Sequence, residues 1–296
     1  MKKVLAFIMV LLPLALCAQV RIAEPVPKML EDFPYDSTTN YVKKEQIRCL
    51  VGQELQVLPL REYNQRDGYR YIVKGNKKFP DFFTKIEYNE LLGKVLACTD
   101  AFSREKNGLY DYYLELKDNS NGDTYYYEFS ELQNDFYFLV LGYKDKFEHD
   151  NCGQTFIFKG AALRFYDFNT GEKVVAEPKQ QYIFQEMIFN AKGNELGYLF
   201  TDELSHLLCF NEFQVKNSLV KKSTIDQYVA LYGQSSINSA LEGGYYVGMP
   251  VELLRLSWGK PNTINGTSYN TQYVYNLSQG RIKCFYIEDG KVTGWN

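Results

Sequence analysis

The stretch Gly248-Met249-Pro250-Val251-Glu252-Leu253-Leu254-Arg255-Leu256-Ser257-Trp258-Gly259-Lys260-Pro261 carries both ends of a short helix in its own residues. Pro250 opens it at a position where a missing N–H is harmless. Val251, Leu254 and Trp258 fall on one face, and Leu253 and Leu256 widen it. Gly259 supplies a left-handed cap and Pro261 forbids continuation. Downstream, residues 269–277 and 282–287 read as strands, and Asp289-Gly290 is a tight hairpin turn into residues 291–295. Upstream, Ser223-Thr224-Ile225-Asp226 reads as a capping box. Ile225, Tyr228, Val229 and Tyr232 then recur at helical spacing until Gly233 stops the run. Residues 236–241 read as a second short helix ended by Gly243-Gly244, and residues 245–247 as a brief strand. Residues 216–296 therefore predict a small α+β module, helices followed by three antiparallel strands.

Gly248-Met249-Pro250, the helix, Trp258-Gly259-Lys260-Pro261, Gln272-Tyr273-Val274-Tyr275 and Glu288-Asp289-Gly290-Lys291-Val292 together resemble the SmpA/OmlA superfamily. That group includes the small lipoprotein of the outer-membrane barrel-assembly complex and is similar in shape to β-lactamase inhibitor proteins. The resemblance covers roughly the last 50 to 80 residues. It implies a helical pair on a three-stranded antiparallel sheet, used for protein contacts or envelope integrity. This chain departs from the barrel-assembly component by its large N-terminal β region.

That region, residues 45–215, is patterned as strands. Tyr110, Tyr112, Leu114 and Leu116 alternate with Asp111, Glu115 and Lys117. After a loop with Asn121-Gly122, Tyr125, Tyr127 and Phe129 repeat the period of two, and Phe136, Phe138 and Val140 continue it. Residues 163–168 and 173–175 flank Asn169-Thr170-Gly171 as a second hairpin, and residues 182–189 and 196–200 add two strands. A faint echo links residues 45–55 with 87–96: Leu50-Val51-Gly52-Gln53 and Leu91-Leu92-Gly93-Lys94 each place an apolar pair, a Gly and a polar residue before a strand. Two copies fall short of a repeat architecture. Residues 19–44, with Pro25, Pro27 and Pro34, read as an extended arm. The fold class is α+β, mainly β: an antiparallel β-rich domain followed by the small helix-helix-three-stranded module.

At the start, Lys2-Lys3, an apolar run over residues 4–16 interrupted by Pro13, and Ala18 before Gln19 have the layout of a secretory signal peptide spanning residues 1–18. The run is shorter than the roughly 20 apolar residues a membrane span needs, so no transmembrane span is expected once the leader is gone. Leu16 before Cys17 fits a lipoprotein signal poorly. The expected location is a bacterial periplasm or beyond, with outer-membrane association as the alternative. The net charge of −3 becomes −5 on loss of Lys2 and Lys3. That balance leaves no electrostatic footprint for nucleic acid and no basic run for an anionic membrane. Of six cysteines, Cys17 leaves with the leader. Cys49, Cys98, Cys152, Cys209 and Cys284 are an odd set that cannot fully pair within one chain. Most are expected to be buried small hydrophobes.

Chemistry is sparse. The two histidines each precede a cysteine by three residues, His149 to Cys152 and His206 to Cys209. Imidazole and thiolate suit zinc. The spacing works on a helix, where such residues share a face, and fails on a strand, where they oppose. Residues around His206 sit in a strand-like apolar run. No nucleophile elbow, phosphate loop or dinucleotide fingerprint is present, and the acidic stretches Glu31-Asp32 and residues 145–150 read as solvated loops. No catalytic residue and no cofactor are expected. The reading is a non-enzymatic envelope protein that binds another protein or supports envelope integrity. The alternative is a carbohydrate or peptidoglycan binder using the Tyr-rich strands at residues 125–127 and 136–138. A zinc or cysteine enzyme comes third. N-terminal sequencing of the protein recovered from its native host is expected to begin at or near Gln19. A chain starting at a lipidated Cys17 would overturn the expected leader and favour an outer-membrane lipoprotein.

Overall fold

The computed structural model describes residues 30–75, 86–106, 109–129, 136–190, 195–266 and 271–296. The expected leader, the first part of the arm and residues 269–270 of the expected strand lie outside the described residues. Among the described residues, seventeen strands form four sheets and every named pairing is antiparallel. The fold is therefore α+β and mainly β. No helix among them is long and apolar enough to cross a membrane.

The first sheet has six strands: β1 (Glu54–Val57), β2 (Ile72–Lys74), β3 (Val95–Lys106), β4 (Leu109–Asp118), β5 (Thr124–Glu128) and β6 (Phe138–Val140), in the order β2-β5-β4-β3-β1-β6. The alternation in β4 and β5 is realised face for face. Leu114 pairs with Tyr127 and Leu116 with Tyr125, and all four are buried. Residues 44–50, expected in the β region, instead form a 3-10 helix that buries Ile47, Cys49 and Leu50. The echoed segments end alike: Gly52 and Gly93 both have positive φ and lead into β1 and β3, which pair with each other.

Helix α1 (Leu141–Asn151) follows β6 directly. Its sequence reads as a polar loop because Tyr143 and Phe147 supply most of its apolar contact. On the exposed side it is laced by Lys144–Glu148 and Lys146–Asp150 ion pairs four residues apart. The second sheet then has the order β12-β11-β10-β7-β13. Its strands are β7 (Thr155–Phe158), β10 (Gln181–Asn190), β11 (Glu195–Thr201), β12 (Leu207–Asn211) and β13 (Leu219–Lys221), with the hairpin β8 (Leu163–Tyr166) and β9 (Lys173–Ala176) packed beside it. Phe165 of that hairpin meets Phe210 of β12 at 4.4 Å. Asp167 explains the turn after β8: its carboxylate accepts from the backbone N–H groups of Asn169, Thr170 and Leu207. One hydrophobic core runs from Leu55 and Phe138 of the first sheet to Tyr198 and Phe210 of the second.

The C-terminal part contains α2 (Glu212–Ser218), α3 (Lys222–Tyr232), α4 (Gln234–Leu241) and α5 (Val251–Trp258). It also holds a four-stranded sheet of β14 (Thr263–Gly266), β15 (Thr271–Asn276), β16 (Ile282–Glu288) and β17 (Lys291–Trp295). The sequence predicts three strands; β14 escapes it because only Ile264 is apolar and the whole strand is exposed. The capping box expected at Ser223 is absent. β13 runs straight into α3, which begins at Lys222 with no side-chain cap. A reciprocal cap is found instead on α2, between Asn211 and Gln214. Residues 245–247 form no strand. The second core joins these helices to the sheet, and Ile157 and Val220 of the second sheet pack with it. The composition boundary at residue 216 thus falls beside β13, which pairs with β7.

The quoted stretch folds as its residues dictate. Pro250 occupies the cap position before α5. Gly248 has a φ of 87°, and its N–H donates to the Val292 carbonyl at 2.7 Å. Val251 N–H donates to the Gly290 carbonyl. The helix entry is therefore stitched to the hairpin turn at Asp289-Gly290, where both residues have positive φ. Gly259 ends α5 at φ 78°, and Pro261 beyond it is buried. Strand alternation turns Val274 and Tyr286 away from the helix, and the Trp258 indole packs on Tyr245, Tyr275 and Phe285 while Nε1 donates to the Gly243 carbonyl. Trp258→Ala is expected to destabilise the protein by about 3 kcal/mol, and Gly259→Val to destabilise it through backbone strain, both read by chemical unfolding. Unchanged stability in Trp258→Ala would show that the ring does not bear on the core.

Candidate functional site

A cleft of about 460 Å³ lies between the ends of the two large sheets. One wall comes from the first sheet. Leu58, Pro59 and Leu60 leave β1, and the short helical turn Glu62–Gln65, with Arg61 before it, adds Tyr63 and Asn64. Phe136 and Tyr137 lead into β6. The other wall comes from the β10–β11 hairpin, with Phe189, Glu195 and Leu196, and from the start of α2, with Asn211, Glu212 and Phe213. Asn40 and Tyr41 of the arm close the floor.

Most of this lining is fixed by the fold. Asn40 acts as a substitute strand: its amide donates to the Phe138 carbonyl at 2.9 Å and accepts from Val140 N–H at 2.8 Å, covering the outer edge of β6. Leu58 N–H donates to the Tyr137 carbonyl. The Tyr137 ring rests edge-on against Tyr69 at 5.5 Å and stacks on Tyr71 at 6.2 Å. Asn211 is spent on its cap, and Glu212 is paired with Lys216. What remains for a visitor is small and distinct. Tyr63 and Phe213 are 69% and 72% exposed, one on each wall. Arg61 touches the Tyr63 hydroxyl at 3.2 Å. The Asn64 side chain and the Glu195 carboxylate have no hydrogen-bond or ion-pair partner among the described residues. A smaller hollow of about 80 Å³ continues the cleft past Leu60, Asn64 and Tyr137 toward Tyr71 and Arg70.

The sequence-predicted residues lie elsewhere. His149 is exposed on α1, and Cys152 beyond its end donates to the Gln185 carbonyl at 3.4 Å. His206 precedes β12, where Nδ1 meets Asp202 at 2.8 Å, and Cys209 is half-buried within β12 against Gly197. Among the described residues no three His, Cys, Asp or Glu side chains gather as a metal group. All five cysteines from Cys49 onward are free thiols; Cys49, Cys98 and Cys284 are buried. Of the two Tyr-rich strands, residues 136–138 bring the half-buried Tyr137 to the cleft, whereas residues 125–127 offer no ring. Tyr125, Tyr126 and Tyr127 are all buried, because Phe102 and Tyr113 cover the second face of β5. The most exposed rings at the cleft are on the turn at Tyr63 and on α2 at Phe213; Tyr166 and Phe168 are exposed elsewhere, at the β8–β9 hairpin. No sequence signal separates these from core rings in so aromatic a chain.

His206 carries a charge that responds to pH. Its hydrogen bond to Asp202 raises its pKa above the ordinary 6.5, with Asp167 and Glu172 adding to the effect. The raised value means that the pair's contribution to stability is full below 6.5 and is lost as pH rises through the folded-state value. An NMR titration is expected to show His206 above 6.5 in the intact chain and returned toward 6.5 in Asp202→Asn. An unshifted His206 in the intact chain would remove the pair.

Comparisons with family models, with curated proteins and with solved structures give no match to this chain.

Proposed function

We propose that this chain is an exported, non-enzymatic binding protein of the bacterial envelope, and that the cleft between its two large sheets holds the ligand. The observation that carries this reading is the pair of exposed rings, Tyr63 and Phe213, on facing walls of the cleft. Exposed rings beside partnerless polar groups are the usual makings of a recognition surface. The commitment of Asn40, Asn211 and Glu212 to bonds within the fold supports recognition over catalysis.

A second reading follows the SmpA/OmlA resemblance: the C-terminal module contacts another protein. One feature favours it. β14 is an edge strand, exposed along its length and free of charge, and such edges invite strand pairing.

Photo-crosslinking in the native envelope separates the two. A photoreactive residue placed at Tyr63 or Phe213 is expected to trap envelope material, and one placed at Ile264 is not. Trapping of a protein at Ile264 alone would replace the cleft reading with the module reading. Both ring positions are exposed, so these substitutions are expected to change stability by less than about 0.5 kcal/mol.

A further inference from the structure

Resting on the cleft reading, we infer that the ligand is a neutral polyhydroxylated chain, an oligosaccharide, with sugar rings seated on Tyr63 and Phe213. Four observations lead there. First, a sugar ring presents a C–H face that packs on an aromatic ring while its hydroxyls remain free, and the cleft offers one such ring on each wall. Second, the charges do not suit an anion. Among the described lining residues of the main cleft Arg61 is the single cation, and the Glu195 carboxylate stands against it. A phosphate or nucleotide site needs a surplus of donors and positive charge, which this lining lacks.

Third, the polar groups that the lining offers match hydroxyls. Asn64 both donates and accepts, the Glu195 carboxylate accepts, and Arg61 donates beside the Tyr63 hydroxyl. Hydroxyl groups do both and need no fixed charge. Fourth, an extended peptide is poorly served. A peptide gains most from an open strand edge, and the edge that faces this cleft, β6, has its Phe138 carbonyl and Val140 N–H taken by Asn40. The main hollow lies within the roughly 300–1,000 Å³ range of small-ligand sites. Its continuation past Asn64 and Tyr137 toward Tyr71 gives it the form of a trough, which fits a chain of linked rings better than one compact molecule.

The test is titration of the purified chain against a panel of neutral oligosaccharides that includes cellotetraose and N-acetylchitotetraose. Saturable binding is expected, weakened at least about tenfold in Tyr63→Ala and in Phe213→Ala and little changed by added salt. Thermal unfolding of each variant checks that the fold is intact, and Asn64→Leu supplies a third, non-aromatic lesion. If no neutral oligosaccharide binds while crosslinks at Tyr63 and Phe213 persist, the ligand class is wrong and the cleft reading stands. A peptide recovered from those crosslinks has the same consequence. If an oligosaccharide binds equally well to all three variants, the cleft itself is the wrong place and both readings fall.

Discussion

The hydroxyls of Tyr143 and Tyr198 meet at 2.5 Å inside the protein, one from α1 and one from β11. Much of the architecture hangs on that contact, because α1 is the segment that carries the chain from the first sheet into the second. Burial pushes the Tyr143 phenol up to about 12 and raises Tyr198 further, so both stay neutral and each satisfies the other. Loss of either hydroxyl leaves its partner buried and unpaired, a penalty of about 1–3 kcal/mol. Around this bond Phe147 packs edge-on against Phe184 and Tyr198, and the Glu148 carboxylate accepts from Met187 N–H at 2.8 Å. A helix with two apolar anchors thus holds its place through directed contacts to β10 and β11.

The same arrangement leaves the cleft open. α1 departs from the end of β6, whereas Phe136 and Tyr137 lie before its beginning. Likewise Tyr198 sits within β11, whereas Glu195 and Leu196 lie at its start. The two sheets are clamped along the α1 side and part at the other end of the same strands. The wall on the first sheet is stiffened by Tyr69, whose hydroxyl donates to the Leu58 carbonyl at 2.8 Å while its ring supports Tyr137. A cleft built on such supports is held in place by the fold itself, so on the proposed reading the ordering cost of binding is small.

The hairpins were legible in the sequence because their determinants are local. Asn121-Gly122, Asn169-Thr170-Gly171 and Asp289-Gly290 each set a turn, and the alternation on either side sets the buried face. The helix α5 was legible for the same reason, its stop being carried by Gly259. What stayed hidden depends on partners remote in the chain. The pair Tyr143 and Phe147 is too thin a stripe to announce α1, and β14 shows no alternation because neither of its faces is buried. The cleft was invisible for a stronger reason: its lining is gathered from near residues 40, 60, 137, 195 and 212 by long-range strand pairing. Nothing in the sequence at Tyr63 or Phe213 sets them apart from the eleven rings buried most completely among the described residues, until the fold decides which rings are covered.

The echo between Leu50-Val51-Gly52-Gln53 and Leu91-Leu92-Gly93-Lys94 has a physical basis that explains why it stops at two copies. Gly52 N–H donates to the Cys98 carbonyl, and Cys98 N–H donates to the Gln53 carbonyl. In the mirrored position Gly93 N–H donates to the Val57 carbonyl, and Val57 N–H donates to the Lys94 carbonyl. The two segments close the antiparallel β1–β3 pair from opposite ends, a local two-fold relation that admits no third member. Each glycine stands at positive φ with no atom within 4 Å of where a Cβ would lie, so the constraint is in the backbone and not in the packing. A side chain at either position would strain the turn and loosen one end of β1. Gly93 matters more for the cleft, because the end it secures is Val57, from which Leu58 and Leu60 enter the wall. Gly52 secures the far end, beside the Leu55–Val140 pairing from which α1 departs. One strand of four residues therefore couples the clamp between the sheets to the wall of the site.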